Sequence, residues 1–184
     1  MEDLTQLIKD CAAGKSGAQS HLYQMFAPKM MGVCLRYSKD RADAEDNLQD
    51  GFIRVFEKIG SFRMEGSLEG WIRRIMVNTA LEKYRKQNIL QPVEDMSGFE
   101  IPDFSGDAVS NITTNDLLAM VQELPIRYRM VFNLYVFEGM NHNEIAKELK
   151  ISDGTSKSNL ARARGILKMK IQKKFGLIEN NYSV

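Results

Sequence analysis

Glu45, Asp46 and Asp50 place three carboxylates within six residues of this 184-residue chain. Three acids so close could hold a divalent cation or carry acid–base work. Their spacing argues against both. On a helix the adjacent Glu45 and Asp46 diverge, and Asp46 and Asp50 share a face without a histidine partner. The chain has two histidines in all, and its two cysteines, Cys11 and Cys34, form no CxxC. A disulfide framework is not expected, and a reducing cytosol is the default. The sequence therefore reads as a non-enzyme, with no metal, no cofactor and no small-molecule substrate.

The basic residues point to a different chemistry. The formal charge is +1, yet no Lys or Arg lies between Gln87 and Ile126, a stretch holding Glu94, Asp95, Glu100, Asp103, Asp107, Asp116 and Glu123. Before it, Trp71 to Lys86 carries Arg73, Arg74, Lys83, Arg85 and Lys86 against Glu82. Beyond it, Ile151 to Phe175 carries Lys157, Arg162, Arg164, Lys168, Lys170, Lys173 and Lys174 against Asp153. Two basic segments flank an acidic spacer, and each could lie along a polyanion. In the first, Phe62, Trp71 and Tyr84 are interleaved with Arg63, Arg73, Arg74, Lys83, Arg85 and Lys86. That mixture suits single-stranded bases, which need faces for stacking and charges for phosphate. Trp71 also fits an apolar core stripe, Phe62 fits either role, and Asn78 could read a base edge or cap a buried backbone group.

The elements that position these residues read as helices throughout. Leu4, Leu7, Ile8 and Cys11 recur at helical spacing. Ser16 and Gln19 suggest a capping box for a second helix, with Leu22, Met25, Phe26, Met30 and Val33 inward. A third helix begins near Asp40 to Asp43, with Leu48, Phe52, Val55, Phe56 and Ile59 as its stripe and Gly60 as its stop. A loop covers 61–67. Ser67 then caps a fourth helix, with Leu68, Trp71, Ile72, Ile75 and Thr79 on one face. Pro92, Gly98, Pro102 and Gly106 mark a linker. A second unit starts near Thr114 or Asn115 with the stripe Leu117, Leu118, Val121 and Leu124. Pro125 opens a helix that buries Val131, Leu134 and Tyr135 and stops near Gly139.

Asn141 and Glu144 form a capping-box start for a short helix with Ile145, Ala146 and Leu149 inward. After the turn Ile151–Gly154, a last helix runs from about Thr155 to Phe175, with Ser156, Leu160, Ala163, Leu167 and Ile171 inward. This is a helix-turn-helix pattern. The outward residues Ser152, Asp153, Thr155, Lys157, Ser158, Ala161 and Arg162 lie near the N-terminal end that enters a major groove. Arg164, Lys168, Lys170, Lys173 and Lys174 would touch DNA backbone or solvent.

The expected fold is all-α: two small helical domains, 1–87 and 113–184, joined by an acidic flexible linker, 88–112. No stretch approaches the roughly 18 apolar residues of a membrane helix, and no signal peptide is visible, so no direct membrane insertion and a cytoplasmic location are expected.

Three segments together resemble a known family. Asp43-Ala44-Glu45-Asp46-Asn47-Leu48-Gln49-Asp50-Gly51-Phe52-Ile53-Arg54-Val55-Phe56 resembles the DAEDxxQxxFxxxF segment of bacterial sigma factors. Trp71-Ile72-Arg73-Arg74-Ile75-Met76-Val77-Asn78 resembles their WLxRIxxN segment. Asn143 to Ala146, with Gly154 to Arg164, resembles the helix-turn-helix of region 4. The three occur in family order and at family spacing. The chain is identified as a member of the extracytoplasmic-function group of the sigma-70 family, the short factors that keep regions 2 and 4.

The resemblance implies a factor that binds core RNA polymerase and directs promoter-specific transcription initiation. Region 2 would bind the β′ clamp helices through Asp46, Gln49 and Asp50. It would capture the unpaired −10 element through Phe62, Arg63, Ser67, Arg74 and Asn78, with a flipped base entering the 61–67 loop. Region 4 would read the −35 duplex through Thr155, Lys157, Ser158, Ala161 and Arg162 and sit on the β flap. The acidic spacer would run through the RNA-exit region. Ser156 stands where Val is usual, Asn159 where Arg is usual, and Lys150 where Gly is common. With no HxxxCxxC, a zinc-bearing sensor would be a separate anti-sigma protein. The competing reading is a conventional helix-turn-helix regulator, which would bind duplex DNA without core polymerase.

Overall fold

The computed structural model describes residues 4–88 and 113–174. Among the described residues are eight α-helices, one 3-10 turn and no strand. The chain divides into two compact units, Met1–Leu90 and Gln91–Val184. The expected linker, apart from Asn88, and Phe175, the expected end of the last helix, lie outside the described residues.

The first unit contains α1 (Leu4–Ala12), α2 (Ser16–Tyr37), α3 (Arg41–Lys58), a 3-10 turn (Ile59–Ser61) and α4 (Leu68–Asn88). Helix α1 buries Leu7, Ile8 and Cys11, as their period predicts. The expected Ser16–Gln19 capping box does not form. Lys15 is the N-cap and has no side-chain cap bond. Gln19 Nε2 donates instead to the Cys11 carbonyl, 3.3 Å away, which also accepts from the Gly14 amide at 3.0 Å at the end of α1. Helix α2 buries Leu22, Phe26, Met30 and Val33, but Met25 is 46% exposed. The buried seam advances by three or four residues from Leu22, and Met25 falls on its solvent flank.

Asp40 caps α3 by accepting from the Asp43 amide at 2.8 Å. Gly60 does not terminate α3 as expected, because the chain tightens through the 3-10 turn that contains it. Helices α2, α3 and α4 pack on one another, and α1 rests on the 3-10 turn and α3. Gly51 of α3 faces the thioether of buried Met76 in α4, which occupies the space a β-carbon would need. Arg54–Glu82 at 2.7 Å and Lys83–Asp43 tie the same two helices. Ser67 Oγ accepts from the Gly70 amide at 2.9 Å, so the fourth helix is capped as expected. Of its expected stripe, Leu68, Ile72 and Thr79 are buried, whereas Trp71 and Ile75 are half-buried.

The second unit contains α5 (Thr114–Gln122), α6 (Ile126–Val136), α7 (His142–Leu149) and α8 (Asp153–Lys174). Capping boxes open α5 (Thr113 with Asp116) and α7 (Asn141 with Glu144). Helix α5 buries Met120 and Val121, with Leu124 just beyond its end, while Leu117 and Leu118 are half-buried. Helix α6 buries Val131 and Leu134; Tyr135 is half-buried because its ring stacks on His142, 4.9 Å away. Pro125 is the N-cap of α6, one residue ahead of its first turn. Helix α8 starts two residues before the expected Thr155 because Ser152 Oγ accepts from the Thr155 amide at 3.0 Å and caps it earlier. Its inward face contains Ser156, Leu160, Ala163 and Leu167, with Ile171 half-buried. Asn159, which stands where the family pattern usually has Arg, is also buried. The α7–α8 pair packs against α6, which completes the helix-turn-helix.

Candidate nucleic-acid interface

Two faces carry the residues singled out from the sequence. The first lies in the first unit, on α4 and the loop before it. Ser67, Trp71, Arg74 and Asn78 follow one another at spacings of four, three and four, which sets them along one stripe of the helix. Arg74 and Asn78 are exposed, as is Arg63 in the loop. Phe62 is half-buried, and its ring lies 5.5 Å from that of Trp71, tilted by 51°. The two rings therefore support each other and still offer surface, so the core and stacking roles left open for Phe62 are compatible.

Other charges near this face are engaged within the unit. Lys29 pairs with Glu69 at 2.6 Å, Arg54 with Glu82, and Lys83 with Asp43. Burial opposes ionisation of Asp43, but Lys83 and the Lys39 amide outweigh it and hold the carboxyl below the usual range.

The second face is the N-terminal half of α8. Thr155, Lys157, Ser158 and Ala161 are exposed, and Arg162 is half-buried. Lys157 Nζ lies 2.7 Å from the Asp153 carboxylate, an exposed pair one turn apart. Ser158 Oγ donates to the Thr155 carbonyl at 3.1 Å, and Arg162 Nη1 donates to the Tyr128 hydroxyl at 3.4 Å. His142 Nδ1 is 2.9 Å from the hydroxyl of buried Ser156, a bond that joins the two helices of the motif from behind.

The C-terminal half of α8 differs from expectation. Lys170 pairs with Glu123 and Lys174 with Asp116. Arg164 lies over the Tyr135 ring, 5.5 Å from its centroid. Asp116 of α5 and Glu123 just beyond it come alongside the C-terminal half of α8, so these lysines pair within the second unit.

A third face belongs to α3. Asp46, Gln49 and Asp50 are exposed on it. Ile53, seven residues beyond Asp46 and 57% exposed, shares this face. The expected apolar stripe omitted Ile53, and its isolation between Asp50 and Glu57 was the available signal. Glu45 accepts from Arg41 at 2.8 Å and is not free to join Asp46 and Asp50. Among the described residues, no three of His, Cys, Asp or Glu come together as a metal-binding group. Both cysteines are buried free thiols, and burial pushes Cys34 up to about 12, far from a reactive thiolate. No helix among the described residues is long and apolar enough to cross a membrane.

Comparison with known proteins decides what these faces belong to. Residues 22–89 match the family model of Sigma-70 region 2, and residues 114–167 match Sigma-70, region 4. The chain belongs to the extracytoplasmic-function group of the sigma-70 family. The ECF RNA polymerase sigma-E factor of Haemophilus influenzae is 29% identical over 185 residues, covering 93% of this chain and 97% of that one. The RNA polymerase sigma-H factor of Pseudomonas aeruginosa is 26% identical over 179 residues, covering 91% and 93%. Among solved structures, the sigma factor RpoE of Bartonella quintana, crystallised with the anti-sigma factor NepR, shares the fold. Its TM-score is 0.50 at 22% identity, over 83% of this chain and 96% of that one. This sigma factor thus binds core RNA polymerase and promoter DNA and directs promoter-specific initiation. The regulator that would act without polymerase is set aside.

Proposed function

We propose that the three faces divide the work of initiation among them. The N-terminal half of α8 reads the −35 duplex: Lys157 and Arg162 supply donors for base edges or phosphates, and Thr155 and Ser158 supply hydroxyls. Ala161 leaves room for close approach. The α4 stripe and the 61–67 loop capture the unpaired −10 strand. Phe62 against Trp71 is the stacking platform, Asn78 presents an amide to a base edge, Ser67 borders the loop, and Arg63 and Arg74 meet phosphates. Asp46, Gln49 and Asp50 dock on the β′ clamp helices, with Ile53 as their apolar centre. Region 2 spans about 1–87 and region 4 about 113–184, with 88–112 as the acidic linker; region 4 rests on the β flap. The protein has no catalytic step of its own, acts in the cytoplasm and is held by a separate anti-sigma protein.

One observation carries this reading. Arg63, Arg74 and Asn78 stay exposed on the 61–67 loop and one stripe of α4, and Thr155, Lys157, Ser158 and Ala161 on the N-terminal half of α8, while Arg54, Lys83, Lys170 and Lys174 pair with acids of their own unit. The test is run-off transcription from pooled genomic fragments with bacterial core polymerase. Discrete starts sharing two elements are expected. Arg162→Ala and Lys157→Ala should weaken starts that depend on the −35 element by about 5- to 150-fold, the range of one base contact of about 1–3 kcal/mol. Phe62→Ala and Asn78→Ala should spare −35 duplex binding and impair strand opening. Unchanged starts in all four variants would remove these assignments.

A further inference from the structure

Met64 stands out within the capture loop. It is 47% exposed, and its backbone is left-handed, with φ of 61°. Few residues other than glycine adopt this conformation, and such outliers persist where the surroundings impose them, often at ligand clamps. Here the loop is pinned at both ends. The Phe62 amide donates to the Ile59 carbonyl at 3.1 Å, and Ser67 Oγ accepts from the Gly70 amide at 2.9 Å. Gly66, with φ of 91°, supplies a second left-handed residue between these anchors. The short span 63–66 therefore turns sharply and projects a flexible apolar side chain into solvent. About half of that apolar residue is left in water, outside the core.

Its surroundings suit a partner with an apolar face and a charged backbone. Phe62 and Trp71 form the ring pair beside the loop, and exposed Arg63 and Arg74 flank it. Methionine sulfur and methyl groups pack well on aromatic faces. Apolar side chains, Met among them, are inserted between base steps by proteins that unstack DNA. We propose that Met64 is the wedge of this sigma factor. Its side chain enters the base stack next to the flipped base and fills the gap that base leaves, so opening of the −10 duplex depends on it. The proposal rests on the reading of 61–67 as the capture loop. The left-handed backbone aims the wedge before DNA arrives, which removes an ordering cost at the moment of melting.

The test uses the full chain with core polymerase on a promoter recovered by the run-off experiment. Opening is followed by permanganate reactivity of thymines in the −10 region. Met64→Asn keeps a residue that tolerates the left-handed backbone and removes the apolar group. Met64→Gly relieves the backbone, and Met64→Leu keeps the apolar group. On duplex DNA the Asn and Gly variants should open the promoter about tenfold more slowly or worse, the scale of one stacked base. Met64→Leu should stay near wild type. On a template already mismatched across the −10 element, all three should match wild type, which also shows that they are folded. The melting temperature of the free Gly variant should not fall. Wild-type opening by the Asn and Gly variants, or equal defects on duplex and mismatched templates, would overturn the proposal. If Phe62→Ala and Asn78→Ala also left opening unchanged, the capture loop itself would be misassigned, a separate and recognisable failure.

Discussion

Replacing Lys150 should strengthen the turn of the helix-turn-helix. Lys150 ends α7 with φ of 55° and ψ of 46°, a left-handed residue where helices usually place glycine. Its amide and that of Ile151 both turn back onto the Ala146 carbonyl, so the conformation is part of how α7 closes. Its side chain is exposed. A residue with a β-carbon in this region costs about 1–2 kcal/mol. Glycine would remove that strain but add about 0.5–1 kcal/mol of chain entropy lost on folding. The difference is a net gain of about 0.5–1 kcal/mol for Lys150→Gly. Native-state hydrogen exchange of the Ile151 amide and the amides around the turn measures it. Protection should rise about two- to fivefold, the same free energy expressed as a ratio. Lys150→Ala is the control: it removes the same charge and stem but keeps the β-carbon, so it should gain nothing. Equal protection in the Ala and Gly variants would refute the backbone argument. Faster exchange in the Gly variant would show that the lysine side chain contributes more than its conformation costs.

Three other outcomes follow from the same geometry. Ile53→Asp should abolish most core-polymerase binding in a pull-down or anisotropy assay, yet shift the melting temperature little, because Ile53 is 57% exposed. Ser156→Ala should cost about 1 kcal/mol by denaturant titration, since it removes the hydroxyl that meets His142 and leaves no sizeable cavity. Asp43, ionised below the usual range by Lys83 and the Lys39 amide despite its burial, should stabilise the first unit above the ordinary aspartate range. That contribution is lost as pH falls through the depressed folded value. Asp43→Asn should therefore lower stability at neutral pH and flatten the acid limb of the stability curve, read by Trp71 fluorescence.

The local signals in the sequence carried well into the fold. Asp40, Ser67 and the Asn141–Glu144 pair cap their helices as their spacing implies, because a cap is settled by contacts within three residues. The inward face of α8 was legible for the same reason: Ser156, Leu160, Ala163 and Leu167 repeat at the helical period. The family segments placed the candidate faces on α3, α4 and α8.

Relations between distant residues were not legible. Lys170 and Lys174 were expected to touch DNA backbone or solvent, yet Glu123 and Asp116, 47 and 58 residues earlier, come beside them and pair with them on the surface. Met25 matched an apolar stripe, yet it is 46% exposed, because the neighbours of α2 cover only the Leu22, Phe26, Met30 and Val33 side of the helix. The left-handed backbone of Met64 has no signature in its residue type, and that of Lys150 was hinted at only by the glycine common at its place in the family pattern. Period, capping and motif order are properties of neighbouring residues, so the helices and the sigma-factor segments could be read from the chain alone. Which charges stay exposed, and which loop residues take left-handed backbones, depend on helices that meet only in three dimensions.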